Sequence, residues 1–191
     1  MSTSTFECNV AYSVLVNKGL SIDHSDVLSF AEMWEGIRRG SSHPHEFAPY
    51  VSDCQILSGS GNRFSRRLTL ADGAVHTASG SFLDQDVVIA EGLHVEAITT
   101  ASGAKTTWFV SRDGSPGSNE DTDIVLNAVY ELKMSDVTPG SDQANQITRD
   151  YSALALKACR DGIETIREWK RQGRLEKFRV EREAGRVYEG P

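Results

Sequence analysis

An arginine on the apolar face of a short strand is the residue of this sequence best suited to bind or polarise a ligand oxygen. In the segment 63–70, apolar and polar residues alternate, which places Arg66 on the same face as Phe64 and Leu68. A guanidinium keeps its charge when partly buried, and it binds a carboxylate or a developing enolate through paired hydrogen bonds. A structural arginine paired with a carboxylate fits the same pattern, so both interpretations stay open. Arg66 is our first candidate catalytic residue.

A second candidate, Tyr151, belongs to a long helical segment near the C-terminus. Ile147, Tyr151, Leu154 and Ala158 recur at steps of three and four, which places them on one helix face. A phenol hydroxyl on such a face can donate to a substrate oxygen or act as a general acid. A core tyrosine bonded to a backbone carbonyl has the same pattern. We take Tyr151 as a candidate catalytic residue and Leu154 and Ala158 as candidate ligand contacts.

Three aromatic residues are candidates for the wall of a pocket. Trp34 lies on the apolar face of a predicted helix, and Trp108 and Tyr130 alternate with small or apolar neighbours in predicted strands. Aromatic residues at such positions usually belong to the core. In a fold with a central cavity, however, the core and the ligand wall are the same surface.

The orientation of His76 depends on the length of a predicted hairpin turn. A two-residue turn at Asp72-Gly73 would direct His76 away from Arg66. A three-residue turn would instead pair Leu68 with His76 and make the imidazole the best general-base candidate. Because Asp-Gly favours the two-residue turn, we expect His76 to face away.

Motifs that hold metals or phosphates are missing from the sequence. His43-Pro44-His45 offers two imidazoles, but no third ligand falls at a characteristic spacing. The three cysteines are far apart and form no C-x-x-C pair. The glycine-rich stretch 59–62 precedes a strand rather than a helix, so it predicts a hairpin turn and not a phosphate cradle. We therefore expect no metal and no cofactor.

Length and charge restrict the class of protein. The 191 residues suffice for one domain with a sizeable core. The 20 basic and 27 acidic residues give a net charge of −7, which argues against nucleic acid or an anionic membrane as partner. No apolar run approaches the length of a membrane span, and the first residues lack the features of a signal peptide. We expect a cytoplasmic protein.

The elements that position the candidate residues follow a simple order. A strand over about 8–16 precedes a helix, which begins with the capping box Ser29–Glu32 and ends at Gly40. Further strands are predicted at about 53–58, 63–70, 74–82 (or broken there and resuming at 87–90), 94–99, 106–111 and 124–134. Short turn signals between them are typical of an antiparallel meander, and a long helix follows. This segregation of helices and strands predicts an α+β fold.

The long helix is predicted over about 143–172, with Ser141 or Asp142 as its cap and Gly173 just past its end. At its centre the residues are small: Ala155, Ala158, Cys159 and Gly162. Small side chains there either leave room for a ligand or let another part of the fold approach closely. The sequence leaves these two interpretations open.

Five phrases resemble the AtaL-like family of the START-like (SRPBCC) superfamily, which is frequent in fungi. They are Val16-Asn17, Trp34-Glu-Gly-Ile37, Phe47-Ala-Pro-Tyr-Val-Ser-Asp-Cys54, Phe64-Ser-Arg66 and Ile163-Glu-Thr-Ile-Arg-Glu168. The resemblance implies a helix-grip fold, in which a curved seven-stranded antiparallel sheet wraps around the C-terminal helix and encloses a mainly apolar cavity. It also implies one domain over 8–173 and a charged extension over 174–191.

Members of the wider superfamily bind lipids, hormones or polyketides, and some are cyclases, dehydratases or isomerases. The AtaL-like branch often accompanies fungal secondary metabolism, and it has no shared catalytic motif. The resemblance therefore implies a cofactor-independent enzyme that cyclises, isomerises or dehydrates a hydrophobic intermediate of polyketide or terpenoid type. A non-catalytic carrier of an apolar small molecule is the alternative, and a homodimer stays open.

Overall fold

The computed structural model describes residues 5–72, 76 and 79–184, and its centre is a curved seven-stranded antiparallel sheet. The strands are β1 (Phe6–Leu15), β2 (Val51–Ser60), β3 (Arg63–Leu70), β4 (Phe82–Ala90), β5 (His94–Thr99), β6 (Lys105–Arg112) and β7 (Ile124–Met134). Their order across the sheet is β1-β7-β6-β5-β4-β3-β2. The helices are α1 (Phe30–Ser42), followed by a short 3-10 turn (Pro44–Glu46), α2 (Asp142–Arg171) and α3 (Arg174–Glu183). The predicted α+β helix-grip fold is confirmed.

Both long helices begin at the caps that the sequence predicts. The Oγ of Ser29 accepts from the backbone N–H of Glu32 at 3.2 Å, and the Glu32 carboxylate accepts from the N–H of Ser29 at 2.9 Å. The Oγ of Ser141 accepts from the N–H of Ala144 at 3.1 Å. Helix α2 spans 30 residues but is heavily charged, and none of the described helices has the apolar length needed to cross a membrane.

Helix α1 continues two residues beyond Gly40, where we predicted its end. Gly40 does not adopt the left-handed conformation of a C-terminal glycine. A Cβ atom at this position would lie 3.0 Å from the ring of Phe47, so glycine is needed here for close packing. The glycine is a packing residue rather than a helix stop.

The connection between β3 and β4 is much longer than predicted. Thr69 pairs with Phe82 and Arg66 pairs with Gln85, so residues 71–81 form the connection. Both predicted turn lengths are therefore wrong. Gly73, which both predicted turns contain, lies outside the described residues.

The strand predicted over 74–82 is wrong where the structure describes it, because residues 76 and 79–81 are turn or irregular, while 74–75 and 77–78 lie outside the described residues. The resumption predicted at 87–90 belongs to β4. The sequence 74–81 is small and polar apart from Val75, so it has little apolar surface to bury against a core. In β4 itself, Val87 and Ile89 alternate with more exposed residues and are 1% and 5% exposed. Burial of this second segment fixes the register of the pair, because a shift of one residue would turn both side chains outward.

The extension after Gly173 contributes an ordered helix. In α3, Leu175 and Phe178 are buried, and the ring of Phe178 meets Trp169 of α2 edge to face at 5.5 Å. The carboxylate of Glu46 accepts hydrogen bonds from Arg39 of α1 and Arg174 of α3. The helix is thereby attached to α1 and to the 3-10 turn, whereas 185–191 lie outside the described residues.

Asn17 ties three separate segments together just after β1. Its Nδ2 donates to the carbonyls of Leu28 and Thr122 at 2.8 and 2.7 Å, and its Oδ1 accepts from the N–H of Leu28 at 2.9 Å. Leu28 is fully buried, so water cannot readily replace these bonds. This explains why an asparagine follows Val16 at the end of the strand.

We expect Asn17→Ala to lower the free energy of unfolding by about 2–3 kcal/mol, because buried backbone groups lose their partners. Urea denaturation measures the change. Asn9→Ala is the matched control on the exposed side of β1, where we expect a change within about 0.5 kcal/mol. Equal losses in the two variants would contradict this role for Asn17.

A cavity between the sheet and the long helix

A cavity of about 780 Å³ lies between the concave face of the sheet and α2, within the size range of small-molecule sites. Its wall includes residues of β2 to β7, the end of α1, the 3-10 turn and α2. The exposed residues of the wall lie where β1 begins, at His76 between β3 and β4, where β5 turns into β6 and where β7 ends, and this end is the mouth. The mouth residues used below are His76, Lys133 and Asp136.

Five of the seven predicted site residues line this one cavity. They are Arg66, Trp108, Tyr130, Tyr151 and Leu154. Arg66 shares the inward face of β3 with Leu68, as the period-two pattern predicts. The structure thus brings together candidates that are up to 88 residues apart in sequence, as Arg66 and Leu154 are. Their roles in binding or catalysis stay predictions.

Trp34 and Ala158 lie away from the cavity wall. The indole N–H of Trp34 donates to Glu91 at 2.9 Å, which fastens α1 to the turn between β4 and β5. On α2 the buried line runs through Ala155, Cys159 and Gly162. Ala158 precedes Cys159 by one residue, which turns its side chain by about 100° to the half-buried flank.

Arg66 is 7% exposed and is fixed by neutral acceptors. Its Nε and one terminal nitrogen donate to the Oε1 of Gln85 at 3.0 and 2.7 Å, and the other terminal nitrogen donates to the carbonyl of Ser41. The amide of Gln85 in turn donates to the hydroxyl of Thr99 at 3.4 Å. Burial lowers the pKa of Arg66 to about 10, so it remains charged at neutral pH.

Tyr50 stands close to this arginine, and Tyr130 stands close to Tyr50. The hydroxyls of Tyr50 and Tyr130 share a hydrogen bond, and both side chains line the cavity. Burial raises the pKa of Tyr50 and raises that of Tyr130 well above its ordinary value, so both phenols stay protonated and can donate hydrogen bonds. Burial also raises the pKa of Tyr151.

Tyr50 and Gln85 are cavity residues that the sequence analysis missed. Tyr50 precedes β2 by one residue, so no strand periodicity pointed to its direction. Gln85 was missed because the predicted strand ended before it. Alternation with Val87 and Ile89 was the available signal, and it places Gln85 on their buried face.

His76 reaches the cavity by a route that neither predicted turn describes. It belongs to the β3–β4 connection, and its ring stacks on Tyr151 with centroids 6.0 Å apart. Its Nε2 lies 3.0 Å from Oδ2 of Asp150, whose other oxygen accepts from Gln146 at 2.7 Å. The backbone of His76 is left-handed, with φ 54°, a conformation that disfavours non-glycine residues by about 1–2 kcal/mol. The imidazole is thus paired with a carboxylate beside the cavity.

Phe47 occupies the space that the small residues of the helices leave open. A Cβ atom on Gly162 would lie 2.6 Å from the Cζ of Phe47, and one on Gly40 would lie 3.0 Å from its ring. The ring also contacts Trp108 at 5.7 Å and Trp169 at 6.1 Å between centroids. At Gly162, therefore, the small residue admits a side chain of the protein itself rather than a ligand. Phe47 forms the floor of the cavity.

Comparison with known proteins gives matches over most of the chain. The model of a family described as acetylaranotin biosynthesis cluster protein L (AtaL) matches residues 10–173. A protein of that name from Aspergillus terreus (strain NIH 2624 / FGSC A1156) is 44% identical over 179 residues, which is 92% of this chain and 99% of that protein.

Solved structures share the fold at low sequence identity. The di-domain aromatase/cyclase (ARO/CYC) StfQ from the steffimycin biosynthetic pathway gives a TM-score of 0.60 at 12% identity, over 88% of this chain and 53% of that one. The present chain therefore spans about half of that protein. The ZhuI aromatase/cyclase from Streptomyces sp. R1128 gives a TM-score of 0.53 at 11% identity, over 87% of this chain and 94% of that one. At these identities the likeness concerns the fold.

Proposed function

The chain belongs to the AtaL family, and we propose from this membership and from its cavity that it is a cofactor-independent enzyme of small-molecule biosynthesis. Its substrate is a largely apolar intermediate that enters the cavity. The reaction is a cyclisation, an isomerisation or a dehydration, each of which needs a restrained substrate and a polarised oxygen. The observation that carries this proposal is a buried, charged arginine in an otherwise mainly apolar cavity.

The walls would supply the first part of catalysis by restraining the substrate. A flexible chain folded against Trp108, Leu68 and Leu154 loses the orientational freedom that opposes ring closure in solution. Restraint of this kind accounts for large rate enhancements when the reacting atoms are brought to near contact.

The polar group around Arg66 would supply the second part. A substrate carbonyl that accepts from Arg66 and from the protonated hydroxyls of Tyr50 or Tyr130 gains stabilisation as negative charge develops on its oxygen. These donors are already positioned by the protein, because Gln85 and Ser41 hold the guanidinium in place. No reorganisation is then required when the enolate forms.

In this proposal, protons are transferred at the mouth of the cavity. His76, oriented by Asp150, is suited to accept a proton from a carbon next to the polarised carbonyl. Tyr151, stacked on His76, is suited to donate one to a leaving or newly formed oxygen. The printed names of the AtaL relative and of the aromatase/cyclase structures support biosynthetic chemistry of this class.

The proposal is tested by incubating the purified protein with a metabolite extract of cells from its source organism. Mass spectrometry then compares the metabolites with those of a boiled control. We expect a new product and the loss of one precursor. Tight retention of an unchanged compound, without any product, would instead establish the carrier function.

For the same assay we expect Tyr151→Phe to lower the rate of product formation at least tenfold, because removing a general acid typically costs about 10²–10⁴-fold. Tyr12→Phe is the matched control, since Tyr12 on β1 does not contribute to the described cavity wall. A rate that is unchanged in Tyr151→Phe would remove this tyrosine from the mechanism.

A further inference from the structure

The buried charge of Arg66 has no negative partner in the protein. Across residues 5–72, 76 and 79–184, no carboxylate lies within 4.0 Å of its guanidinium nitrogens. Its neighbour Arg67 shows the usual arrangement, with Nε 2.7 Å from the carboxylate of Asp84 on the adjacent strand. At the equivalent cross-strand position Arg66 meets the neutral amide of Gln85. The charge of Arg67 is therefore neutralised by a carboxylate, whereas the charge of Arg66 is only hydrogen-bonded to a neutral amide.

The other groups close to Arg66 are also neutral. Burial raises the pKa of Tyr50 and of the Cys54 thiol, so neither supplies an anion at neutral pH. The carbonyl of Ser41 lies in the last turn of α1, where the helix dipole favours a cation. A helix terminus carries only about half an elementary charge, so a net positive charge remains.

The hydrogen-bonding capacity of Arg66 is only partly used. Of the five N–H groups of a guanidinium, three donate to Gln85 and Ser41. One N–H remains on each of the two terminal nitrogens, without an acceptor among the described residues. Two free donors on one guanidinium can bind the oxygens of a carboxylate.

The charges of the cavity wall agree with this arrangement. Asp136 is the one acidic side chain among the described residues of the wall, and it is exposed at the mouth. Lys133, also at the mouth, adds a second positive charge. An anion that entered this cavity would meet a positive potential. The water that it loses on burial would be replaced by the N–H donors of Arg66.

We propose that the ligand of this cavity carries an acid group, such as a carboxylate, and that Gln85 selects for it by holding Arg66 without neutralising it. This inference rests on the proposed binding of a small molecule in the cavity and adds the charge class of that molecule. With the acid group bound to Arg66, the carbonyl of the proposed reaction accepts from the hydroxyls of Tyr50 or Tyr130. A glutamate at position 85 would accept the same two hydrogen bonds and would pair the charge of Arg66 internally. The acid group of the ligand would then have no unpaired cation to bind.

The test uses the neutral dye N-phenylnaphthylamine, which fluoresces in apolar surroundings, as reporter of the cavity. Dodecanoate and its methyl ester compete with the dye at neutral pH, and they differ only in the charge of one end. For the wild-type protein we expect the acid to displace the dye at least tenfold more tightly than the ester does. In Gln85→Glu we expect this preference to fall to about twofold or less, with the affinity for the ester nearly unchanged.

Gln55→Glu is the matched control, because Gln55 is exposed on β2 and faces Arg67 across the strand pair. It adds the same charge beside an arginine outside the cavity, and it should retain the wild-type preference for the acid. Arg66→Met is a second test that does not depend on the folding of Gln85→Glu, and it should abolish the preference as well.

The outcomes separate this inference from the function on which it rests. Dye binding without a preference for the acid in the wild type, or a preference that survives in Gln85→Glu and Arg66→Met, overturns the inference and leaves a neutral ligand for the same cavity. Failure of the wild-type protein to bind the dye or either competitor counts against the ligand-binding cavity itself.

Discussion

Replacing Arg66 by glutamine is expected to lower the rate of product formation by about 100-fold or more while the protein remains folded. Loss of one preorganised donor to a developing oxyanion typically costs about 10²–10³-fold. The glutamine amide can still donate to Gln85 or Ser41, so few buried acceptors are left unsatisfied. Removing an unpaired buried charge also relieves a desolvation cost, so we expect a melting temperature no lower than that of the wild type.

Arg67→Gln is the control for this variant, because Arg67 is the next residue of the same strand and pairs with Asp84 on the outer face. It should leave the rate within about twofold. Arg66→Lys separates charge from geometry, since lysine keeps the charge but lacks the planar fork. Full activity in Arg66→Gln would exclude the guanidinium from the reaction and would leave restraint by the walls as the source of catalysis.

The second large effect is expected for Phe47→Ala, which should lower the free energy of unfolding by about 3 kcal/mol. Truncating a buried phenylalanine costs about 3–5 kcal/mol, and Phe47 is half-buried because one side of its ring faces the cavity. The lost contacts include those with Trp108 and Trp169. Guanidinium denaturation followed by circular dichroism measures the change.

Gly162→Ala supplies the partner for a double-mutant cycle with Phe47→Ala. In the wild type the new methyl group would overlap the ring of Phe47, so the single change should destabilise the protein. Without that ring, alanine fills part of the space and is favoured over glycine in a helix by about 1 kcal/mol. We expect the sign of the effect to reverse between the two backgrounds. Additive effects would show that the ring and the glycine do not depend on each other.

The sequence predicted the fold where local signals agree with tertiary burial. The capping box at Ser29, the cap at Ser141 and the alternation in β3 each specify a local structure that the rest of the chain supports. For β4 the prediction was right only at 87–90, and its start was placed too early, because the Asp-Gly signal near residue 72 was outweighed by the burial of Val87 and Ile89. A favourable turn sequence contributes less free energy to the choice of strand register than the burial of two apolar side chains does.

The site was predictable only in part, because some of its residues are placed by the period of one strand or helix and others by the length of a connection. Arg66 follows from period two along one strand, so sequence alone placed it on the inward face. Ala158 was misplaced because one residue along a helix changes direction by about 100°, and the sequence fits two neighbouring stripes. The position of His76 depends on the length of a connection that no local pattern encodes, whereas Gln85 could have been placed by its alternation with Val87 and Ile89.

The mouth and the polar interior of the cavity are encoded in different parts of the chain. The described residues of the mouth lie largely in connections: His76 between β3 and β4, the β5–β6 turn and the residues at and after the end of β7. Arg66, Gln85 and Tyr130 lie within paired strands, where a changed residue also alters the sheet. Insertions and substitutions in connections are tolerated more readily than changes within strands. Variation in these connections can therefore reshape the entrance of the cavity while the strands that carry Arg66, Gln85 and Tyr130 stay unchanged.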